Sequence, residues 1–245
     1  MSLRIFIGYD KNETVAYHVL AHSILERSSI PVAITPLNRA NMRGFFYRER
    51  GEYDSTDFSV SRFLVPFLCG YEGFAVFMDC DMLVRGDVAE LARYMTLMDS
   101  YNYAVRVVKH EYTVKDKTKF LGQPQTAYKR KNWSSVMIFN NRLCQKLTLE
   151  YVNRAHGLDL HQFTWCEDHQ IAGMPKEWNW LVGEEGYDAT GDPKLIHYTK
   201  GTPCFPDYAE QDFAELWRAE REAMLAHACP DSAVCRIVDA AGSSS

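Results

Sequence analysis

The stretch Phe77-Met78-Asp79-Cys80-Asp81-Met82-Leu83 carries the strongest chemical signal in this 245-residue chain. In an extended backbone, residues i and i+2 face the same way, so Asp79 and Asp81 converge while Cys80 points into the packing. Phe74 to Met78 is an unbroken apolar run, as a strand buried on both faces requires. The two carboxylates therefore stand at the C-terminal end of a buried strand, where open α/β sheets place ligands. Two adjacent anions in a partly dry site repel, and a divalent cation relieves that repulsion. Hard oxygen ligands suit manganese or magnesium, with coordination positions left for diphosphate oxygens. The bland alternative is a pair of turn aspartates capping a helix that starts near Val88. A D-x-D alone is common, so the surrounding elements must decide.

Those elements alternate in type. Strand signals cover Leu3 to Gly8, Val32 to Ile34, Phe74 to Met78, Ala104 to Val108, Val136 to Phe139 and Leu195 to His197. Apolar residues at helical spacing predict a helix over Glu13 to Arg27, and Val88 to Met95, Leu147 to Ala155, Cys166 to Ala172 and the charge-laced Phe213 to His227 also read as helices. Asn12 is the expected N-cap of the first. Phe58 to Cys69 also reads as a helix, weakened by Pro66, since proline past the first turn removes a helix bond. Residues 38 to 57 read as a polar loop. Strands separated by helices predict an α/β layer fold around a mainly parallel sheet.

Composition narrows the function classes. Hydrophobic residues make up 47% and charged residues 24%, a globular balance that excludes collagen-like and disordered chains. The net charge of −5 argues against non-specific nucleic-acid binding. The seven cysteines form no C-x-x-C pair, which excludes a zinc ribbon and predicts reduced, mostly buried thiols. The N-terminal stretch lacks a signal-peptide pattern, and no run of 18 apolar residues occurs. The expectation is a cytoplasmic protein without a transmembrane segment, compatible with peripheral contact at the inner membrane face. Arg106 to Lys131 holds eight basic residues against Glu111 and Asp116. It reads either as a solvated loop or as a basic flap over an anionic ligand.

Six segments, in this order, resemble the GT-A glycosyltransferases, in particular the family 8 group that includes bacterial galactosyltransferases and glycogenin. They are Ile5-Phe6-Ile7-Gly8-Tyr9-Asp10, Ser59-Val60-Ser61-Arg62-Phe63-Leu64, Phe77 to Val84 around the D-x-D, Ser134-Ser135-Val136-Met137-Ile138-Phe139-Asn140, Glu167-Asp168-His169-Gln170-Ile171 and Leu195-Ile196-His197-Tyr198. The resemblance implies one GT-A catalytic domain over residues 1–228, followed by a frayed tail over 229–245. It implies transfer of a sugar, with retention, from a nucleotide-sugar donor, a UDP-sugar, to a sugar, glycan or lipid-linked acceptor. It also implies a manganese or magnesium ion held by Asp79, Asp81 and His197 and bridging the donor diphosphate. Taken alone, His197 on its apolar strand would read as a core histidine.

By the same resemblance, Tyr9, Asp10 and Asn12 match the base and ribose site, Arg62 a donor contact, and Asp79 a donor contact as well as a metal ligand. Asp168 matches a carboxylate beside the donor sugar. Lys200 and the Gly201 N–H are expected to stabilise the leaving diphosphate. The chain departs from the family at Trp133-Ser134-Ser135, where Asn-Ala-Gly is usual, at His169, where a Gln lines the sugar site, and at Lys200-Gly201-Thr202-Pro203-Cys204-Phe205. Two rivals compete. A haloacid-dehalogenase-like phosphatase also places D-x-D after an apolar strand, but that strand opens its domain, whereas here many residues precede it. A non-catalytic nucleotide-sugar binding module would keep the metal site without the chemistry.

Overall fold

The computed structural model describes residues 2–51, 54–111, 118–119, 123–124 and 129–227. The chain opens with β1 (Leu3–Tyr9), α1 (Thr14–Arg27) and β2 (Val32–Asn38). Next come α2 (Val65–Leu68), β3 (Phe74–Met78), β4 (Met82–Val84), α3 (Glu90–Ser100) and β5 (Val105–Val107). The two-residue strands β6 (Thr118–Lys119) and β7 (Gln123–Pro124) form a small antiparallel ladder. After them lie β8 (Val136–Asn140), α4 (Leu149–Arg154), α5 (Gly157–His161) and β9 (Ile171–Gly173). The last elements are β10 (Trp180–Leu181), β11 (Leu195–His197) and α6 (Ala214–His227).

Six strands form the central sheet in the order β2-β1-β3-β8-β5-β9. Pairings β1–β2, β1–β3 and β5–β9 are parallel, and β8 runs antiparallel to both β3 and β5. The sheet is thus mostly parallel, with helices packed against it. Ala75 to Met78 and Val136 to Phe139 are wholly buried, because β3 and β8 sit in the middle of the sheet and are covered on both faces. A second sheet, β10-β11-β4, leaves the end of β3. Val19, Leu83, Ile196, Tyr198 and Trp217 pack it against α1 and α6. The five described cysteines are free thiols. Among the described residues no helix is long and apolar enough to cross a membrane.

Several elements differ from the sequence reading. Val32 to Ile34 lengthens to Asn38 across Pro36, because β2 is an edge strand and proline's missing N–H goes unneeded there. Asn12 caps nothing: Asp10 caps a 3₁₀ turn over Lys11–Glu13, and α1 begins after it. Phe58 to Cys69 is a 3₁₀ turn over Ser61–Leu64 followed by α2, with Pro66 in the first turn of α2, where its missing N–H is harmless. Cys166 to Ala172 is not a helix. A single 3₁₀ turn over Asp168–Gln170 gives way to β9, because Ile171–Gly173 pairs with the open edge of β5. Thr148 starts α4 by accepting from the Tyr151 N–H. Arg106 belongs to no flap: it lies in β5 between the rings of Tyr94 and Tyr103. Lys115 and Lys117, like the tail over 229–245, lie outside the described residues.

Candidate active site

The site begins where β3 ends. The Asp79 N–H donates to Ser135 O (3.0 Å), which extends the β3–β8 ladder by one residue. Cys80 is fully buried, with its Sγ 3.7 Å from Glu13 Oε2. The chain then enters β4, whose antiparallel partner is β11, with His197 opposite Met82. The Tyr198 N–H donates to Asp81 O (2.9 Å). These backbone bonds carry His197 from the far end of the chain to the D-x-D. Ligand atoms of Asp79, Asp81 and His197 lie within 4.8 Å of one another. His197 Nε2 is 3.3 Å from Asp81 Oδ1.

Charge in this corner is unbalanced. Burial holds the Glu13 carboxyl well above the usual carboxylate range, and the neighbouring charges of Asp81, Asp10 and Asp79 push the same way. Arg62 supplies a compensating cation: its Nη1 lies 2.8 Å from Asp79 Oδ1 and 2.9 Å from Ser134 O. The guanidinium rests over the rings of Phe58 and Phe77. Asp81 Oδ1 is buried and accepts no hydrogen bond from the described residues. An unsatisfied buried carboxylate oxygen is costly, and a divalent cation held by two carboxylates and an imidazole would satisfy it. The donor set therefore fits manganese or magnesium.

Behind His197 lies a polar chain that the sequence did not reveal. His197 Nδ1 is 2.9 Å from Asn179 Oδ1. Asn179 Nδ2 is 2.8 Å from Ser135 Oγ and 2.9 Å from His110 Nε2. His110 Nδ1 is 2.6 Å from the Tyr187 hydroxyl. Asn179, His110 and His197 are all buried. Burial, reinforced by His197, lowers the His110 imidazole to about 3 and keeps it neutral. The available sequence signal was a polar residue inside Trp178-Asn179-Trp180-Leu181-Val182, where an apolar run would otherwise pack. Glu13 also went unnoticed, because a glutamate in a first helical turn is ordinary.

The other candidate residues are placed as follows. Asp10 is buried, and its carboxylate accepts from the Asn12 and Asp57 N–H groups, both at 2.9 Å. It thereby ties the loop after β1 to the approach of the Arg62 turn. The Tyr9 hydroxyl is 3.0 Å from Thr14 Oγ1, and Asn12 is exposed. The Gly201 N–H donates to Tyr198 O (2.9 Å), and Lys200 Nζ donates to Gly183 O (3.0 Å). Asp168 is 81% exposed and 2.5 Å from Arg130, whose hydrogen bond and charge hold its carboxyl below the usual range. Asp168, Lys200 and Gly201 thus have partners of their own, apart from the metal-ligand trio.

No family model matches the sequence. Among the solved structures that share the fold are three glycosyltransferases. WbbM, a bifunctional glycosyltransferase in its apo form, aligns with a TM-score of 0.60 at 16% identity, over 90% of this chain and 49% of that one. GlyE of Streptococcus pneumoniae aligns at 0.57 and 14% identity, over 90% of this chain and 60% of that one. The galactosyltransferase LgtC, solved with donor and acceptor sugar analogues, aligns at 0.55 and 12% identity, over 90% and 96%. This chain spans about half of the WbbM chain. The likeness establishes a GT-A glycosyltransferase fold. Protein CDI of Arabidopsis thaliana is 46% identical over 226 residues, which span 89% of this chain and 86% of that protein. With its GT-A fold and that identity over most of both sequences, the chain belongs to the family of Protein CDI.

Proposed function

We propose that this protein is a metal-dependent glycosyltransferase of the retaining, family 8 kind. It moves a sugar from a UDP-sugar to the hydroxyl of a sugar, glycan or lipid-linked acceptor, with residues 1–228 as one catalytic domain. One observation carries the reading: two carboxylates and an imidazole converge at the C-terminal end of the central strand β3. That is where α/β sheets bind ligands. Manganese or magnesium held there acts as a Lewis acid that offsets negative charge on the leaving diphosphate. Asp79, Asp81 and His197 hold the ion, and Arg62 orients Asp79 through their ion pair. Tyr9 and Asn12 receive the base and ribose, on a loop whose shape Asp10 maintains. Lys200, released from Gly183 O, brings a cation to the departing phosphate, while Gly201 shapes the turn beside it. Asp168, released from Arg130, stabilises positive charge at the anomeric carbon. The setting is the cytoplasmic side of a membrane or the cytoplasm itself.

The alternative of a nucleotide-sugar binding module without transfer is not favoured, because the solved structures that share the fold are glycosyltransferases. A phosphatase reading is not favoured, because the D-x-D follows the third strand of a GT-A sheet. The test is a panel of UDP-, GDP- and CMP-sugars with manganese, followed by calorimetry and by slow donor hydrolysis. The expected result is metal-dependent binding and hydrolysis of a UDP-sugar, with both lost in Asp81→Ala. Binding without any hydrolysis or transfer selects the module. Undiminished donor binding in Asp81→Ala refutes the site.

A further inference from the structure

The polar chain behind His197 has a direction that its contacts dictate. Ser135 Oγ donates its only hydrogen to Asn132 O, 2.7 Å away, since a backbone carbonyl can only accept. Toward Asn179, 2.8 Å away, Ser135 Oγ therefore presents lone pairs, and the amide atom facing it must be Nδ2. A second contact agrees: the same amide atom lies 3.3 Å from Asn132 O, again an acceptor. The Asn132 carbonyl thus assigns Nδ2 to this side of the Asn179 amide, and the Ser135 contact agrees. Its Oδ1 faces His197 Nδ1 at 2.9 Å, and an amide oxygen can only accept. The proton of a neutral His197 thus sits on Nδ1, leaving the Nε2 lone pair facing Asp81 Oδ1 at 3.3 Å. One Nδ2 hydrogen is shared by Ser135 Oγ and Asn132 O, the other goes to His110 Nε2, and His110 hands its own Nδ1–H to the Tyr187 hydroxyl.

We infer that Asn179 is a positioning residue that locks His197 as the Nδ1–H tautomer, so that Nε2 is presented to a divalent cation together with Asp81. The inference rests on reading Asp79, Asp81 and His197 as a metal centre. Without Asn179, the His197 proton is free to move to Nε2 and donate to Asp81 Oδ1. That hydrogen bond would occupy both ligand atoms and compete with the ion. Outer partners of metal-bound histidines are worth about 10- to 100-fold in metal affinity.

The test uses two readouts, neither of them turnover. A long-range proton–nitrogen spectrum of the metal-free protein at pH 8 reports the His197 tautomer, with the signal assigned by its loss in His197→Gln. Manganese affinity is read from the paramagnetic signal of the free ion. The parent protein is expected to show Nδ1–H. Asn179→Leu is expected to shift His197 to Nε2–H and to weaken manganese about 10- to 100-fold. An Nε2–H tautomer in the parent overturns the inference even if the Leu variant fails to fold, and so does an unchanged tautomer and affinity in Asn179→Leu. Equal manganese binding by the parent and Asp81→Ala would instead sink the metal centre, while the parent's tautomer would still judge the Asn179 lock.

Discussion

Lowering the pH should destabilise the protein through His110, by an amount the structure allows to be worked out. Desolvation, reinforced by the neighbouring His197, lowers the His110 imidazole from 6.5 to about 3. The unfolded chain therefore takes up the proton first, and each proton bound there favours unfolding. The His110 contribution is full above about pH 6.5 and is lost as the pH falls from there towards about 3. Between about pH 7 and about pH 5.5, the unfolded imidazole goes from mostly neutral to mostly charged, while the folded one stays neutral. The loss over that interval is about 1.3 kcal/mol, from about 1.4 kcal/mol per pH unit of full titration. With a urea slope on the order of 2.5 kcal/mol/M, the unfolding midpoint falls by about 0.5 M more than it would without His110. The assay is urea unfolding followed by tryptophan fluorescence at both pH values, in the parent and in His110→Gln. Histidines remote from His110 cancel in that difference. An identical pH dependence in the two proteins would refute the buried, neutral His110 and, with it, the polar chain behind His197.

Arg62→Ala leaves Asp79 largely buried beside Asp81 without its guanidinium partner. A stability loss of about 3 kcal/mol is expected in urea, partly restored by manganese; unchanged stability would show that the pair does not matter. Gly201 has a φ of +146°, and a Cβ there would sit 2.4 Å from the Tyr208 ring. Gly201→Ala should therefore lower the melting temperature by several degrees, corresponding to about 1–3 kcal/mol. Asp168→Asn should slow sugar transfer at least about tenfold while leaving manganese and UDP affinity unchanged, as read by single-turnover assay and calorimetry. A matching loss of UDP affinity would move Asp168 from the reacting centre to the binding site.

The sequence alone determined the parts whose signal is local. The apolar run Phe74 to Met78, bounded by Gly73 and the aspartates, reads as a buried strand, and in an extended chain two aspartates spaced by one residue face one way. That much made β3 and the D-x-D legible without coordinates. The helix α6 was equally plain. The structure decided everything that depends on pairing between distant segments. Cys166 to Ala172 reads as a helix, yet Ile171–Gly173 became β9 because the edge of β5 offered unpaired backbone groups. β4 and β10 are two or three residues long, too short for any periodicity, and exist only through β11. That pairing alone distinguishes His197 from an ordinary core histidine, since it sets the imidazole 3.3 Å from Asp81. Asn179 and His110 were invisible for the same reason. A polar residue in an apolar run signals only that a partner is needed, and which partner meets it is settled when the two sheets close on one another.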